Sequence, residues 1–146
     1  MVLKPLTAAA MLATALTLTP ATVSAQDVPA AKLQQLQMVI DNQITAFRTQ
    51  KHDQAFSYAA PRLQTIFGST ERFIGMVKSG YGAIYGARNW QFGRSRQNGT
   101  SEVWQEVRLT GPQGRDWVAL YTMRQMKDGT WRIAGVQIKK AEELST

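Results

Sequence analysis

The sequence predicts an α+β fold in which N-terminal helices pack on a curved four-stranded antiparallel sheet. Apolar residues recur at helical spacing over residues 31 to about 82, whereas residues 88–139 alternate between apolar and polar. Turn signals divide the alternating half at Asn98-Gly99, Gly111-Pro112 and Asp128-Gly129. Helices followed by a run of antiparallel strands are typical of a two-layer domain with the helices on one face of the sheet.

The helical half is expected to open with a long helix from about Ala31 to Thr49. Apolar residues recur there at spacings of three and four, which produces one stripe that must face a partner. Asp53 is a suitable N-cap for a second helix, which is expected to run through Ala60 and to end at Pro61.

Glycines and a hydroxyl residue delimit the next helix. Gly68 is placed to stop the preceding turn, and Ser69 or Thr70 is expected to cap the start of the helix. Gly80 is expected to adopt the left-handed conformation that ends it. Residues 80–86 then form a glycine-rich aromatic connector, where the rim of a pocket is expected.

Four strands are expected, at residues 88–96, 102–110, 115–126 and 130–139. Asn98-Gly99 predicts a two-residue hairpin turn with positive φ at both positions, and Asp128-Gly129 predicts a second hairpin by the same logic.

The faces of two strands indicate what the sheet packs against. One face of the second strand is the more apolar and is expected to face the core: Val103, Gln105, Val107 and Leu109. Glu106 is therefore expected to point outward and to pair with an arginine on a neighbouring strand. The third strand is apolar on both faces at residues 117–121, so a homodimer partner or a folded-over tail is expected on its outer face.

The first 25 residues have the pattern of a secretory signal peptide. Lys4 provides the positive charge, the apolar stretch from Leu6 to Leu18 is short for a membrane span, and Val23-Ser24-Ala25 offers small residues for cleavage. The expected organisation is a signal peptide at 1–25, a flexible lead-in at 26–31, one α+β domain at 32–140 and a C-terminal tail at 141–146. An uncleaved N-terminal anchor is the alternative.

The cysteine content and the net charge limit the cellular compartment and the kinds of binding partner that are expected. The chain has no cysteine, which excludes disulfides and a lipoprotein anchor and, with export, favours a periplasmic protein. The net charge is +7, but an exported protein rarely meets nucleic acid. An anionic lipid, a cell-wall polymer or a small anionic ligand is the kind of partner that the charge suggests, as for a basic envelope-associated protein, and a basic surface without a specific partner is the other interpretation. No transmembrane segment is expected after signal cleavage.

Several short segments together carry a family resemblance: Ile44 to Arg48, Phe56 to Pro61, Phe67-Gly68-Ser69, Phe73, Met76-Val77, Gly80-Tyr81, Trp131 to Ile133 and Gly135-Val136. With these segments the chain resembles an uncharacterised bacterial family, domain of unknown function 4864. The resemblance spans about Leu36 to Ile138 and consists mostly of packing and turn residues. That family is similar to the nuclear transport factor 2-like superfamily, which implies a cone of helices wrapped by a curved sheet. The superfamily includes isomerases, dehydratases, hydrolases and non-catalytic binding or dimerisation domains, so function must be argued from the site.

The sequence contains few residues that could act as a catalytic acid or base. An enzyme of this type needs an acid or base set against apolar walls, and His52 and Asp53 are the candidates. Each has a simpler explanation, since His52 lies in a polar turn and Asp53 is a suitable N-cap. One histidine, no cysteine and scattered carboxylates do not make a usual zinc site, and no metal or other cofactor is expected.

Aromatic residues around the connector favour binding. Tyr81, Tyr85 and Trp90 are expected to line a pocket for a small apolar ligand, with Arg94 orienting an anionic group. The sequence therefore favours an exported, non-catalytic domain that binds a small ligand or forms a homodimer. The alternatives are an isomerase- or hydrolase-like enzyme and a basic envelope-associated interaction protein.

Overall fold

The computed structural model describes residues 27–141, so the expected signal peptide and residues 142–146 of the expected tail lie outside it. Within this range five helices precede four strands: α1 Ala30–Arg48, α2 His52–Ser57, α3 Pro61–Phe67, α4 Thr70–Gly80, α5 Gly82–Tyr85, β1 Asn89–Asn98, β2 Glu102–Thr110, β3 Asp116–Gln125 and β4 Trp131–Lys140. The described strands form one antiparallel sheet in the order β1-β2-β3-β4. The predicted α+β class is confirmed.

Helix α1 begins within the segment expected to be a flexible lead-in and ends one residue before the predicted boundary. Its buried stripe includes Leu36, Ile40 and Ile44, which are fully covered. After the helix, the backbone N–H of Gln50 donates to the Phe47 carbonyl and that of Lys51 donates to the Ala46 carbonyl, at 3.2 and 2.9 Å. This pair of bonds is a Schellman motif, with Gln50 in the left-handed position at φ 57°.

Helix α2 differs from the prediction at both ends. Lys51, not Asp53, is its N-cap residue, and Asp53 Oδ1 accepts a hydrogen bond from the Thr70 hydroxyl at 2.7 Å. The helix ends at Ser57 because the following chain pairs with β4. The Ala60 N–H donates to the Ile133 carbonyl, and the Ile133 N–H donates to the Tyr58 carbonyl. Tertiary pairing therefore ends a helix that was predicted to continue through Ala60.

Two of the three predicted signals around α4 are confirmed. Gly68 is left-handed at φ 75°, and the Ser69 side chain caps the helix by accepting from the Arg72 N–H at 3.3 Å. The expectation for Gly80 is wrong, because this residue remains helical and Tyr81 follows it with φ −134°. Within the connector, residues 82–85 form the short helix α5.

Both predicted hairpins are confirmed, but the prediction that two-residue turns connect their strands is wrong. Asn98 is the last residue of β1 and pairs with Glu102, so three residues connect the strands and only Gly99 has positive φ. The Asn98 side chain instead donates to Glu102 Oε1 at 2.7 Å. Five residues connect Gln125 to Trp131, with Gly129 at φ 87°. Hydrogen bonds from Thr130 to Asp128 close this turn and hold the pKa of the Asp128 carboxyl below its ordinary value.

The inner face of β2 packs on the helices as predicted, with Val103, Gln105 and Val107 fully buried. The Gln105 amide donates to the carbonyls of Gly93 and Arg94, where the pairing of β1 with β2 is irregular. It therefore satisfies backbone groups that the regular ladder would otherwise pair.

The outward orientation of Glu106 is confirmed, but its cross-strand partner is not. Glu106 pairs with Arg108 on its own strand at 3.2 Å, and the cross-strand ion pair joins Glu102 to Arg124 at 3.0 Å. Glu102 lies directly opposite Arg124 in the register of β2 and β3, whereas Glu106 lies opposite Leu120. Position in the register thus decides which carboxylate bridges the strands.

Candidate functional site

A pocket of about 230 Å³ lies between the helices and the β3–β4 side of the sheet. We call it the central pocket. Its lining residues are all uncharged and mostly apolar: Gln43, Phe47, Ala59, Leu63, Phe67, Phe73, Met76, Val77, Tyr81, Ile84, Tyr121, Ile133, Gly135 and Val136. The helices contribute Phe47, Phe73 and Val77 because their apolar stripes face the sheet.

Tyr121 provides the distinctive polar group of the central pocket. It lies on β3, alternates with Ala119 and Met123 on the inner face, and is 0% exposed. Its hydroxyl is buried and has no hydrogen-bond partner among the described residues. Burial also raises the pKa of this phenol, so the hydroxyl is neutral and remains able to donate a hydrogen bond. A buried polar group without a partner is uncommon, and a bound water or ligand would supply the missing hydrogen bond.

The other polar side chains of the pocket already have partners. The Tyr81 hydroxyl donates to the Val136 carbonyl at 3.0 Å, which ties the residue after α4 to β4. The Gln43 amide donates to the Ala55 carbonyl at 3.1 Å, which joins α1 to α2. These bonds position the walls, whereas the buried Tyr121 hydroxyl has no hydrogen-bond partner among the described residues.

The structure does not bring the four predicted ligand-binding residues into one pocket. Tyr81 lines the central pocket, whereas Tyr85 lines a separate cleft near the end of α1. Trp90 and Arg94 line a third depression, on the sheet. The Trp90 indole N–H donates to Asp41 Oδ1 at 3.0 Å, so this ring is held by α1.

The two catalytic candidates lie outside the lining of the central pocket. Asp53 is exposed and bonded to the Thr70 hydroxyl. His52 is half-buried, and its Nε2 lies 3.0 Å from the Tyr85 hydroxyl. Among residues 27–141, no cluster of three or more His, Cys, Asp or Glu side chains is arranged to hold a metal ion. No helix in that range is long and apolar enough to cross a membrane.

Sequence reasoning did not single out Tyr121 or Gln43 as site residues. Each has a side chain that ends in a polar group at a position where the pattern predicts burial. That combination was the signal in the sequence that could have identified them. Gln43 lies on the buried stripe of α1, and Tyr121 lies among apolar neighbours on β3. A buried polar end needs a partner, but only the three-dimensional arrangement shows that Gln43 has one and that Tyr121 lacks one.

Comparisons with known proteins identify a family. Neither a search of curated proteins nor a search of solved structures finds a match. The family model described as Domain of unknown function (DUF4864) matches residues 29–146, which is most of the chain and includes every described helix and strand. The chain therefore belongs to this family.

Proposed function

We propose that this protein is a non-catalytic binding domain whose central pocket holds a small, neutral, largely apolar molecule with one polar group. The observation that carries this proposal is Tyr121, which lines an uncharged, mostly apolar pocket and whose buried hydroxyl has no hydrogen-bond partner among the described residues. Ligand pockets usually combine apolar walls with a few polar groups that set orientation. The lining also contains no side chain suited to act as an acid or base near neutral pH.

The lining favours a neutral ligand over an anionic one. It includes no lysine, arginine or histidine that would compensate a buried carboxylate, and an uncompensated buried charge is strongly unfavourable. An alcohol, a ketone or an amide would exchange one hydrogen bond with Tyr121. An apolar cavity of about 150 Å³ is known to hold benzene, so a pocket of about 230 Å³ suits one ring with a short substituent.

We also propose that the fold is of the nuclear transport factor 2-like type. The order of the elements supports this, because helices precede an antiparallel meander and a pocket lies between the two layers. A shared fold would not transfer an activity, so the binding proposal depends on the pocket alone.

Thermal-shift measurements with one-ring compounds test the binding proposal. We expect phenol and cyclohexanol to raise the melting temperature of the purified protein, and benzoate to have no effect through this pocket. A ligand at about a hundred times its dissociation constant adds roughly 2.7 kcal/mol of stability. Tyr121→Phe should weaken the response to phenol while keeping the pocket apolar.

Leu63→Trp provides a second variant for the same experiment. Leu63 is a half-buried lining residue on α3, so a larger side chain there should fill the pocket and abolish the response. A Leu63→Trp protein that still binds phenol as tightly as the unaltered protein would place the binding site elsewhere.

Export to the periplasm is proposed from the N-terminal pattern of residues 1–25, which lie outside the described part of the chain. N-terminal sequencing of protein recovered from a periplasmic extract of a bacterial expression host checks it. Processing before Gln26 is the expected result, and a protein retaining Met1 in the cytoplasm would contradict it.

Homodimerisation through the outer face of the sheet is a second candidate function. Leu120 is 39% exposed there, and Val118 on the same strand is half-buried. No described residue covers these side chains, and a second copy packed on this face of the sheet would bury them. Sedimentation velocity should show a dimer that Leu120→Lys dissociates, whereas a monomer at all concentrations would exclude this function.

A further inference from the structure

We propose a second binding site, for an organic oxyanion, in the cleft beside Tyr85. This Tyr85 cleft has a volume of about 340 Å³ and lies between the end of α1 and the segment joining α5 to β1. Its lining residues are Phe47, Arg48, Gln50, Tyr85, Gly86, Ala87 and Arg88. The site is separate from the proposed neutral-ligand site, although Phe47 lines both.

The cleft is lined or flanked by three cations that form no ion pair with a described carboxylate. Arg48 and Arg88 line it, and the Lys78 ammonium lies 5.2 Å from the centre of the Tyr85 ring. The ion pairs within residues 27–141 join Arg108 to Glu106 and Arg124 to Glu102, so they involve none of these three cations. Neighbouring cations without counter-charges attract anions to the concavity that they share.

The nearby acidic groups are directed to other partners. Asp41 accepts the hydrogen bond from Trp90, whose ring lies 5.5 Å from the Arg48 guanidinium carbon. Asp53, next to His52, accepts its bond from Thr70. Neither carboxylate forms an ion pair with Arg48, Arg88 or Lys78 among the described residues, so these cations remain available to a ligand.

Contacts fix parts of the cleft walls. The Arg48 guanidinium carbon lies 5.5 Å from the centre of the Trp90 ring, and the Arg88 backbone N–H donates to the Thr110 carbonyl at 2.9 Å. The Tyr85 ring packs 5.7 Å from the ring of Phe47, and its hydroxyl is bonded to His52. Because the Tyr85 ring is already held, it loses little entropy on binding, which favours a ligand that packs against it.

The two kinds of wall define the ligand class. Guanidinium groups match the geometry of phosphate and carboxylate oxygens, whereas the rings of Phe47 and Tyr85 suit an apolar body. A ligand with both parts, such as an aryl phosphate or an aryl carboxylate, fits the cleft. The central pocket, whose lining has no cation, suits neither.

Residue-resolved NMR titration of the purified protein tests this inference. The probes are phenyl phosphate, benzoate, inorganic phosphate and phenol, at a constant ionic strength of about 0.15 M, which limits long-range attraction. We expect phenyl phosphate or benzoate to shift the backbone amides of Gln50 and residues 85–88, and to bind more tightly than inorganic phosphate. Phenyl phosphate and benzoate together distinguish a phosphate from a carboxylate preference.

Variants separate a specific site from general attraction. Arg88→Gln and Arg48→Gln should each weaken binding of the aryl anion at least about tenfold, because each removes a charge-assisted contact. Arg62→Gln is the matched control, since Arg62 is an exposed arginine on α3 away from the cleft lining. It should change the affinity less than about twofold.

The inference is overturned if Arg62→Gln and Arg88→Gln weaken binding equally, or if no aryl anion shifts the residues of the Tyr85 cleft. Phenol keeps this result distinct from the first proposal, because its shifts are expected at the central pocket in every arginine variant. Loss of phenol shifts alone would refute only the neutral-ligand proposal.

Discussion

Tyr81 and Tyr121 line the same pocket, but only one of their two hydroxyls is hydrogen-bonded. The Tyr81 hydroxyl donates to the Val136 carbonyl, whereas the Tyr121 hydroxyl is buried without a partner. We expect Tyr121→Phe to stabilise the ligand-free protein by about 1 kcal/mol, because it removes an unsatisfied buried group. Tyr81→Phe should destabilise it by about 1 kcal/mol, because it removes the hydrogen bond to the Val136 carbonyl.

Urea denaturation of the two tyrosine variants measures both effects. Because each variant removes one oxygen atom from a tyrosine of the same pocket, the pair is internally controlled. Destabilisation by Tyr121→Phe would mean that the hydroxyl is already bonded in solution. That outcome would remove the main support for the neutral-ligand proposal.

Gln50 occupies a backbone position at which glycine is the usual residue. Its φ of 57° closes the Schellman motif after α1, and a side chain there costs roughly 1–2 kcal/mol. Gln50→Gly should therefore stabilise the protein by about 0.5–1 kcal/mol after the greater unfolded-state entropy of glycine is counted. Thermal denaturation checks this, with Gln50→Ala as the control. Equal stabilisation by alanine would show that the side chain, and not the backbone, was unfavourable.

At the scale of elements, the strand pair β2–β3 gives the structure a defined response to acid. Glu102 accepts hydrogen bonds from Asn98, Arg124 and Trp104, and these bonds hold the pKa of its carboxyl below the ordinary value. Because the folded-state pKa is lower than the unfolded one, the stabilisation is complete above the ordinary value of about 4.3. It is lost as the pH falls through the lowered folded-state pKa.

Urea denaturation at pH 7 and pH 3 compares the unaltered protein with Glu102→Gln. We expect the variant to be less stable at pH 7, by less than about 1 kcal/mol because the Arg124 side chain is 46% exposed, and the difference to shrink at pH 3. Glu106→Gln is the control, since Glu106 pairs within its own strand with a more exposed arginine. A Glu102→Gln difference that does not change with pH would show that the hydrogen bonds do not depend on the charge.

Elements were easier to predict from the sequence than their ends. Period-two alternation located β2 and its buried face because burial of one face requires that pattern. The end of α2 was not predictable, since the backbone pairing around Ala59 and Ile133 depends on residues far apart in the chain. The predicted length of the first turn was wrong for a related reason. Asn98 stays paired with Glu102 in the β1–β2 ladder, and its side chain also donates a hydrogen bond to Glu102. Local turn signals identify a reversal, but the register of the strands sets its length.

The candidate sites required the whole molecule. Tyr81 and Tyr85 are four residues apart, yet they line different cavities because α5 intervenes and its two ends face different neighbours. Tyr121 joins Tyr81 in the central pocket from a distant strand. Spacing along the chain therefore indicated the aromatic composition of the sites but not which residues share one.

The described residues build a single continuous core, which makes a prediction about the whole molecule. Buried residues from α1, α4, β2, β3 and β4 belong to one cluster. The apolar face of the sheet and the apolar stripes of the helices bury one another, so neither layer is expected to remain folded alone. Urea unfolding followed by tryptophan fluorescence and by far-ultraviolet circular dichroism should therefore give coincident transitions.

Val107→Ala tests this coupling because Val107 is fully buried on β2 beneath the helices. Deleting its methyl groups should cost about 1–3 kcal/mol and shift both transitions by the same amount. Thr65→Ala, on the exposed face of α3, is the control and should leave both midpoints within about 0.5 kcal/mol. If the two signals separated in the Val107→Ala variant, the helical layer would be unfolding independently of the sheet. Since helices and sheet both line the central pocket, such a separation would also mean that the pocket is lost before the sheet unfolds.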